Sequence, residues 1–461
     1  MNIKRRINLL LTGLFLWSGI VRGTPGVLET YIEMGLRSNL ALKQQEFSLG
    51  KILEALREAK GMFLPSVSIE ARYSRAGGGR LIDVPIGDLV NPLQQTLNQL
   101  LILDGLPPVF PGNIPNQQIP FLRETEHDTK IRLVQPVFQP AVSFNRKVKK
   151  ELTSIERARL AVFKRQLVMD IKTAYFTYLQ TVEVQKLLDN TRELLAENLR
   201  ISNSLFRHHK VTEEVVFRSE AELSKLERQR AEAEKNNRLA AAYFNFLLNR
   251  PWAAEIRVER YPGKPTVRDY SLETLTTQAL QHRGEFRQLQ GAIAAAGYTV
   301  GLHKSSSLPT VTAVVDWGFQ GEKYRFSGSD DYWMGSLLFS WNLFRGGQDA
   351  AKKEQALYEK KRLQTQYHEL ENQIRLEVME AYHQLQVAQK ALLSSEDTEQ
   401  SQKQAFFIVS KKYEQGMVPQ IEYLKARDDY TNAGIDRIIA LYDYYIREAR
   451  LERVSALFPP D

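Results

Sequence analysis

Apolar and polar side chains alternate from Ser66 to Tyr73, where Val67, Ile69, Ala71 and Tyr73 interleave with Ser66, Ser68, Glu70 and Arg72. The alternation returns at Thr310: Val311, Ala313, Val315, Trp317 and Phe319 interleave with Thr310, Thr312, Val314, Asp316 and Gly318. A period of two places each set on one face of a strand. A second run follows each of these. Ile131, Leu133 and Val137 share one parity, and Trp333, Leu337, Phe339, Trp341 and Leu343 oppose Ser336, Ser340 and Asn342. The pattern predicts strands over 66–74, 130–138, 310–320 and 332–344. After each pair of strands the period changes. Val168, Ile171, Tyr175, Tyr178 and Val182 step by 3 and 4, as do Val378, Ala381, Leu385, Ala388 and Leu392, which is a coiled-coil seam. Residues 141–250 and 348–415 contain neither Gly nor Pro and are rich in helix formers. The helices expected over about 141–207 and 347–412 would each be roughly 100 Å long at a rise of about 1.5 Å per residue. They turn at Lys210-Val211-Thr212 and at Gly416-Met417-Val418-Pro419.

The order repeats because the sequence does. Leu28-Glu29-Thr30 returns as Leu272-Glu273-Thr274 and Leu64-Pro65 as Leu308-Pro309, both 244 residues on. Ala174-Tyr175 returns as Ala381-Tyr382 and Phe206 as Tyr413, both 207 residues on. A long internal period marks one structure built from two similar halves. The first repeat is expected over 24–251 and the second over 272–458, with a linker at 252–271. Strand parity survives the repeat, since Val67 matches Val311 and Tyr73 matches Trp317. The strand-joining segments differ. Residues 75–126 carry Gly77-Gly78-Gly79 and seven prolines and read as a long irregular loop, whereas 321–331 is short.

The N-terminus narrows the setting. Lys4-Arg5-Arg6, the apolar run Ile7–Ile20 and Val21-Arg22-Gly23 read as a secretory signal peptide over 1–23. With no cysteine in the chain, disulfides, thiol catalysis and thiolate metal sites are excluded. A net charge of +8 spread as alternating Lys, Arg and Glu on helices, as in Glu227-Arg228, reads as solvated surface and not as a nucleic-acid site. An exported chain with strands near 9–11 residues and aromatic ends fits membrane strands, with an apolar outer face and a polar lumen. The lipid-facing set is then Val67, Ile69, Tyr73, Val315, Trp317, Phe339 and Trp341. Four strands cannot close a barrel, and an open edge in lipid leaves backbone groups unpaired at several kcal/mol each. Several copies must therefore share one barrel.

The second hairpin, Tyr413-Glu414-Gln415-Gly416 followed by Val418–Tyr430, and the first, with Phe206 and Ser219-Glu220-Ala221-Glu222-Leu223, carry a further signal. Together with the two-copy plan, over about 27–458, they resemble the TolC-like outer-membrane efflux protein family. The resemblance implies an α+β membrane protein: a homotrimeric transmembrane β-barrel of four strands per protomer, continuous with a long α-helical coiled-coil barrel in the periplasm. It implies a cell outer membrane location among outer-membrane lipid, and docking to a periplasmic adaptor and to an inner-membrane pump or ABC exporter. The chain would be a passive exit duct, not an enzyme, without cofactors. By the same resemblance the periplasmic constriction lies at the hairpin tips, with Tyr413 at a gate position beside Gly416 and Phe206. Glu422 would face the pore, where three copies make a ring of carboxylates. Lys425 departs from the family pattern, in which an aspartate is common, and His208-His209-Lys210 replace a glycine turn.

Other chemistry is poorly supported. His208 and His209 point in different directions on a helix, and His368 and His383 are too far apart along one helix to share a metal. Gly346-Gly347 lacks phosphate-loop spacing and reads as a passage from strand to helix. A coiled-coil structural or adhesive envelope protein without conduction remains the competing class, and alternating strands count against a pure stalk.

Overall fold

The computed structural model describes residues 26–258 and 270–457. The expected signal peptide over 1–23 and most of the linker over 252–271 lie outside the described residues. The described residues divide into two compact units, one drawn from 26–51, 154–258, 270–290 and 364–457, the other from 52–153 and 291–363.

The first unit is helical. Helices α1 (Val27–Ser38) and α6 (Leu272–His282) lie wholly within it, as do α5 (Glu213–Leu247) and α9 (Gln420–Ser455). It also takes the larger part of α4 (Pro140–Arg207) and α8 (Gln348–Glu414), which run for 68 and 67 residues without a break. Helices of this length are held by seams, not by propensity alone. The seam here is aromatic and wide: Ile171, Tyr175 and Leu179 of α4 pack with Phe244, Ile374, Val378, Tyr444 and Leu451 in one buried core. Tyr31 meets Phe244 edge-on at 5.0 Å between centroids, and Phe176 stacks on Tyr445 at 5.1 Å. A smaller core toward the hairpin turns joins Leu188, Leu195, Leu226, Tyr423 and Leu424.

The second unit holds the strands. β1 (Ser66–Arg75), β4 (Thr125–Phe138), β5 (Thr310–Gly321) and β6 (Asp331–Ser340) form an antiparallel sheet in the order β1-β4-β5-β6, so β1 and β6 are its edges. Val67, Leu133, Val315 and Gly335 stand in one row across the sheet, and Ile69, Ile131, Trp317 and Trp333 in the next. Strand β4 begins at Thr125, five residues before alternation alone predicts, because Glu126, Asp128 and Lys130 are charged residues of the opposite face. β6 ends at Ser340, so Trp341 lies just beyond it, where its indole donates to the Ser307 carbonyl at 3.0 Å.

The long segment between β1 and β4 is not irregular. It contains β2 (Leu81–Val84) paired with β3 (Gln117–Pro120), and helix α3 (Ile86–Leu103) between them. Helices α2 (Leu40–Gly61) and α7 (Gly284–Lys304), divided between the units, lead toward β1 and β5.

Candidate pore and gate residues

Two groups of side chains have the character of channel-lining or gate residues, one in each unit. In the sheet, the face opposite the apolar rows carries most of the charged residues, among them Glu70, Glu126, Asp128, Lys130, Arg132 and Asp316. Arg132 makes two parallel 2.8 Å bonds to the Asp316 carboxylate, whose side chain is fully buried, and pairs with Glu70 at 3.1 Å. Lys130 pairs with Asp128 at 2.8 Å, and Tyr332 donates to the same carboxylate at 2.8 Å. Gln320 donates to Glu126 at 2.9 Å. Gly318 sits opposite Lys130, and a Cβ there would lie 2.2 Å from the Thr129 carbonyl oxygen, so only glycine lets β4 and β5 close beneath this ladder. The apolar face carries no such network. Val67, Ile69, Tyr73, Val315, Trp317, Trp333, Leu337 and Phe339 are all exposed on it.

At the hairpin turns the two predicted gate hairpins meet. α8 ends on Gly416, whose φ of 73° is left-handed; its N–H reaches the Tyr413 carbonyl and that of Met417 reaches Lys412 at 2.9 Å. This six-to-one closure caps the last carbonyls of the helix. The first hairpin closes in the same way with His209 in the left-handed position, φ 54°, and Lys210 N–H bonded to the Leu205 carbonyl at 2.9 Å. The histidine that replaces the expected glycine turn therefore occupies the conformation glycine favours.

Tyr413 lies in the seam between the hairpins of one protomer. Its ring stacks on the buried Tyr423 at 4.8 Å, and Asn198 of α4 hydrogen-bonds its phenol. Phe406 also meets Tyr423, tilted, at 5.7 Å between centroids. Below them sits a buried polar knot. Gln420 Nε2 donates to Ser219 Oγ at 2.7 Å, Ser219 reaches Asn198 Oδ1 at 3.2 Å, and Ser202 and Ser219 share a hydrogen bond at 3.0 Å. Two turns on from Gln420, Arg427, 3% exposed, bonds Glu222 of α5 at 2.9 Å and Asp428 at 2.7 Å, while Lys225 reaches Asp428 at 3.0 Å. Glu422 and Lys425 are exposed, as is Phe206. The structure thus brings Tyr413 together with Tyr423 and Asn198 and leaves Glu422 and Phe206 at the surface of the protomer.

The knot and the Arg427 pair were not among the expected site residues. A signal existed for part of them. Leu188, Thr191, Leu195, Asn198 and Ser202 step by 3 and 4, so Thr191, Asn198 and Ser202 are polar residues on an apolar stripe, and such residues must find partners inside.

Titration of the seam gives a test. Burial pushes the Tyr413 phenol above its ordinary value, with the Asn198 bond pulling the other way, and burial pushes Tyr423 up as well. A raised value in the folded state means this stabilisation is complete below the ordinary tyrosine value of about 10 and is lost as pH rises through the folded values. The melting temperature should fall as pH is raised above about 10, and the double variant Tyr413→Phe/Tyr423→Phe should flatten that fall. An unchanged slope in the double variant would show that the alkaline loss comes from other groups.

No group of His, Asp and Glu among the described residues could hold a metal ion. No helix among them is long and apolar enough to cross a membrane, a statement that does not bear on strands.

The α+β fold, long helices together with a four-stranded sheet that has one apolar face, has counterparts among known structures. A membrane protein from Pseudomonas aeruginosa superposes with a TM-score of 0.76 at 14% identity, covering 94% of each chain. The CmeC outer membrane channel of Campylobacter jejuni gives 0.73 at 15% identity, over 99% of this chain and 93% of its own. The outer membrane protein VceC of Vibrio cholerae gives 0.72 at 14%, over 93% and 95%. No curated protein matches by sequence. Residues 275–456 match the outer membrane efflux protein family. That match covers the second half of the chain, and the solved outer-membrane channels share its fold at 14–15% identity.

Proposed function

We propose that three copies of this chain close a twelve-stranded barrel in the outer membrane and form the exit duct of a tripartite efflux or type I secretion system. The observation that carries this is the sheet itself. Its edges, β1 and β6, are unpaired among the described residues, while its faces are sorted into apolar and charged. A free edge in lipid costs several kcal/mol for each unpaired backbone group, and joining β6 of one copy to β1 of the next removes it. On this reading Val67, Ile69, Tyr73, Val315, Trp317 and Phe339 face lipid, with Trp341 at the interface where β6 ends. The ladder from Glu70 to Tyr332 faces the lumen.

The hairpin tips form the periplasmic constriction. The exposed Glu422 contributes one carboxylate per copy to a ring attractive to cations, and the exposed Lys425 beside it moderates that preference. Phe206 and Gly416 lie at the turns, and Tyr413 acts from the seam by holding the second hairpin against the first. A periplasmic adaptor and an inner-membrane pump or ABC exporter engage these tips and supply substrate choice. An adhesive stalk would have no use for a charged face opposite an apolar one.

Light scattering of the detergent-solubilised chain should give three protomers per particle, and in planar bilayers the particle should conduct. Glu422→Gln should lower cation over anion permeability. A monomer, or a particle that never conducts, would overturn the reading; an unchanged permeability ratio would remove Glu422 from the pore.

A further inference from the structure

Helix α3 is turned inside out. Its polar face is used up inside its own loop: Asn91 both donates to and accepts from the backbone of Ile114 at 2.8 Å, and Asn98 does the same with Phe110 at 2.8 and 3.1 Å. Gln94 accepts from Gly112 N–H at 3.0 Å, and Asp88 and Asn116 exchange bonds at 3.1 and 2.9 Å. The returning segment 110–116 is therefore zipped along the polar side. A Cβ on Gly87 would lie 2.1 Å from the Ile114 carbonyl oxygen, so this approach is close.

The opposite face is apolar and open. Leu89 is 74% exposed, Leu93 62% and Leu103 83%, and Ile86, Leu97 and Leu100 are exposed beside them. An amphipathic helix normally turns such a face inward, so here the covering surface comes from elsewhere. Lipid is a poor occupant. Helices that lie in the membrane interface carry Lys and Arg on their polar face, whereas α3 has Asp88 as its one ionisable residue. Another helix is a good one. Ile86, Leu93 and Leu100 repeat every seven residues, and Leu89, Thr96 and Leu103 form the second row of the same repeat, which is the spacing of a coiled-coil seam. The loop also springs from β1, an edge strand that needs a second copy beside it.

We infer that the leucine face of α3 packs against α3 of neighbouring copies of this chain, clasping the long loops between β1 and β4 together. The inference rests on the proposal that copies share one barrel. It adds an interaction surface that strand pairing does not require.

The absence of cysteine makes the test clean. Leu93→Cys, on the seam, and Gln95→Cys, exposed on its flank, are each made in the full chain, oxidised mildly in outer-membrane vesicles and run without reductant. Leu100→Cys repeats the test if Leu93→Cys fails to assemble. Covalent dimers from the seam position and monomers from Gln95→Cys are expected. Monomers from both, or equal cross-linking at both, would overturn the clasp. So would quenching by brominated lipid of a fluorophore attached to the thiol of the Leu93→Cys variant. Light scattering of the same samples separates the two levels. Oligomers without seam cross-links leave the shared barrel standing and remove the clasp, whereas monomeric particles remove both.

Discussion

Val315→Arg should abolish assembly in the outer membrane, while Val314→Arg, one residue away, should be tolerated. The two side chains belong to opposite faces: Val315 stands in the row of Val67 and Leu133, and Val314 in the row of Val134 and Ser336. A guanidinium on the lipid face near the bilayer midplane costs about 2–4 kcal/mol, and much less toward water. In the proposed shared barrel each copy bears that cost, so the effect on assembly multiplies. On the other face the new guanidinium joins a surface that already holds Arg132, Lys130 and their carboxylates. Heat-modifiable oligomer in the outer-membrane fraction is the measurement. If Val315→Arg assembles and Val314→Arg does not, lumen and lipid faces are exchanged.

Arg427→Ala should loosen the hairpin tips and raise single-channel conductance. The guanidinium is almost wholly buried and ties α9 to Glu222 of α5, with Asp428 and Lys225 completing the group. Removing one partner of a buried pair leaves the other uncompensated, typically at about 3–5 kcal/mol. Glu222 and Asp428 keep part of their hydration, which puts this case at about 3 kcal/mol, the low end of that range. Arg427→Lys keeps the charge but loses the planar guanidinium whose Nη2 reaches both carboxylates, so it should fall between the unmutated chain and Arg427→Ala. Thermal melting and planar-bilayer conductance check the result together. A lower melting temperature with unchanged conductance would make Arg427 a purely structural tie.

Strands and long helices were legible in the residues because each has its own period, and that period follows from local backbone geometry. Val67 and Val315 could both be assigned to an apolar face before any contact was known, since parity is a property of the strand alone. Helix α3 was not legible as such. Pro92 within it and the prolines and glycines around it point to loop, and the bonds from Asn91 and Asn98 that fix its place join residues up to 23 positions apart. The place of Tyr413 was half legible. Its position at the tip followed from the hairpin, but its stacking on Tyr423 depends on how α8 and α9 turn against each other.

By itself the sequence determined the class of elements, their order and the sorting of apolar from charged positions, since these arise from periodicity and composition. The tertiary structure decided which strands are neighbours, and so which edges are left open. It also decided that Asn198, Ser202, Ser219 and Gln420 meet, and that Arg427 is buried with Glu222. Those outcomes turn on contacts between segments far apart in the chain, including residues about 200 positions apart, and no local pattern encodes such a distance.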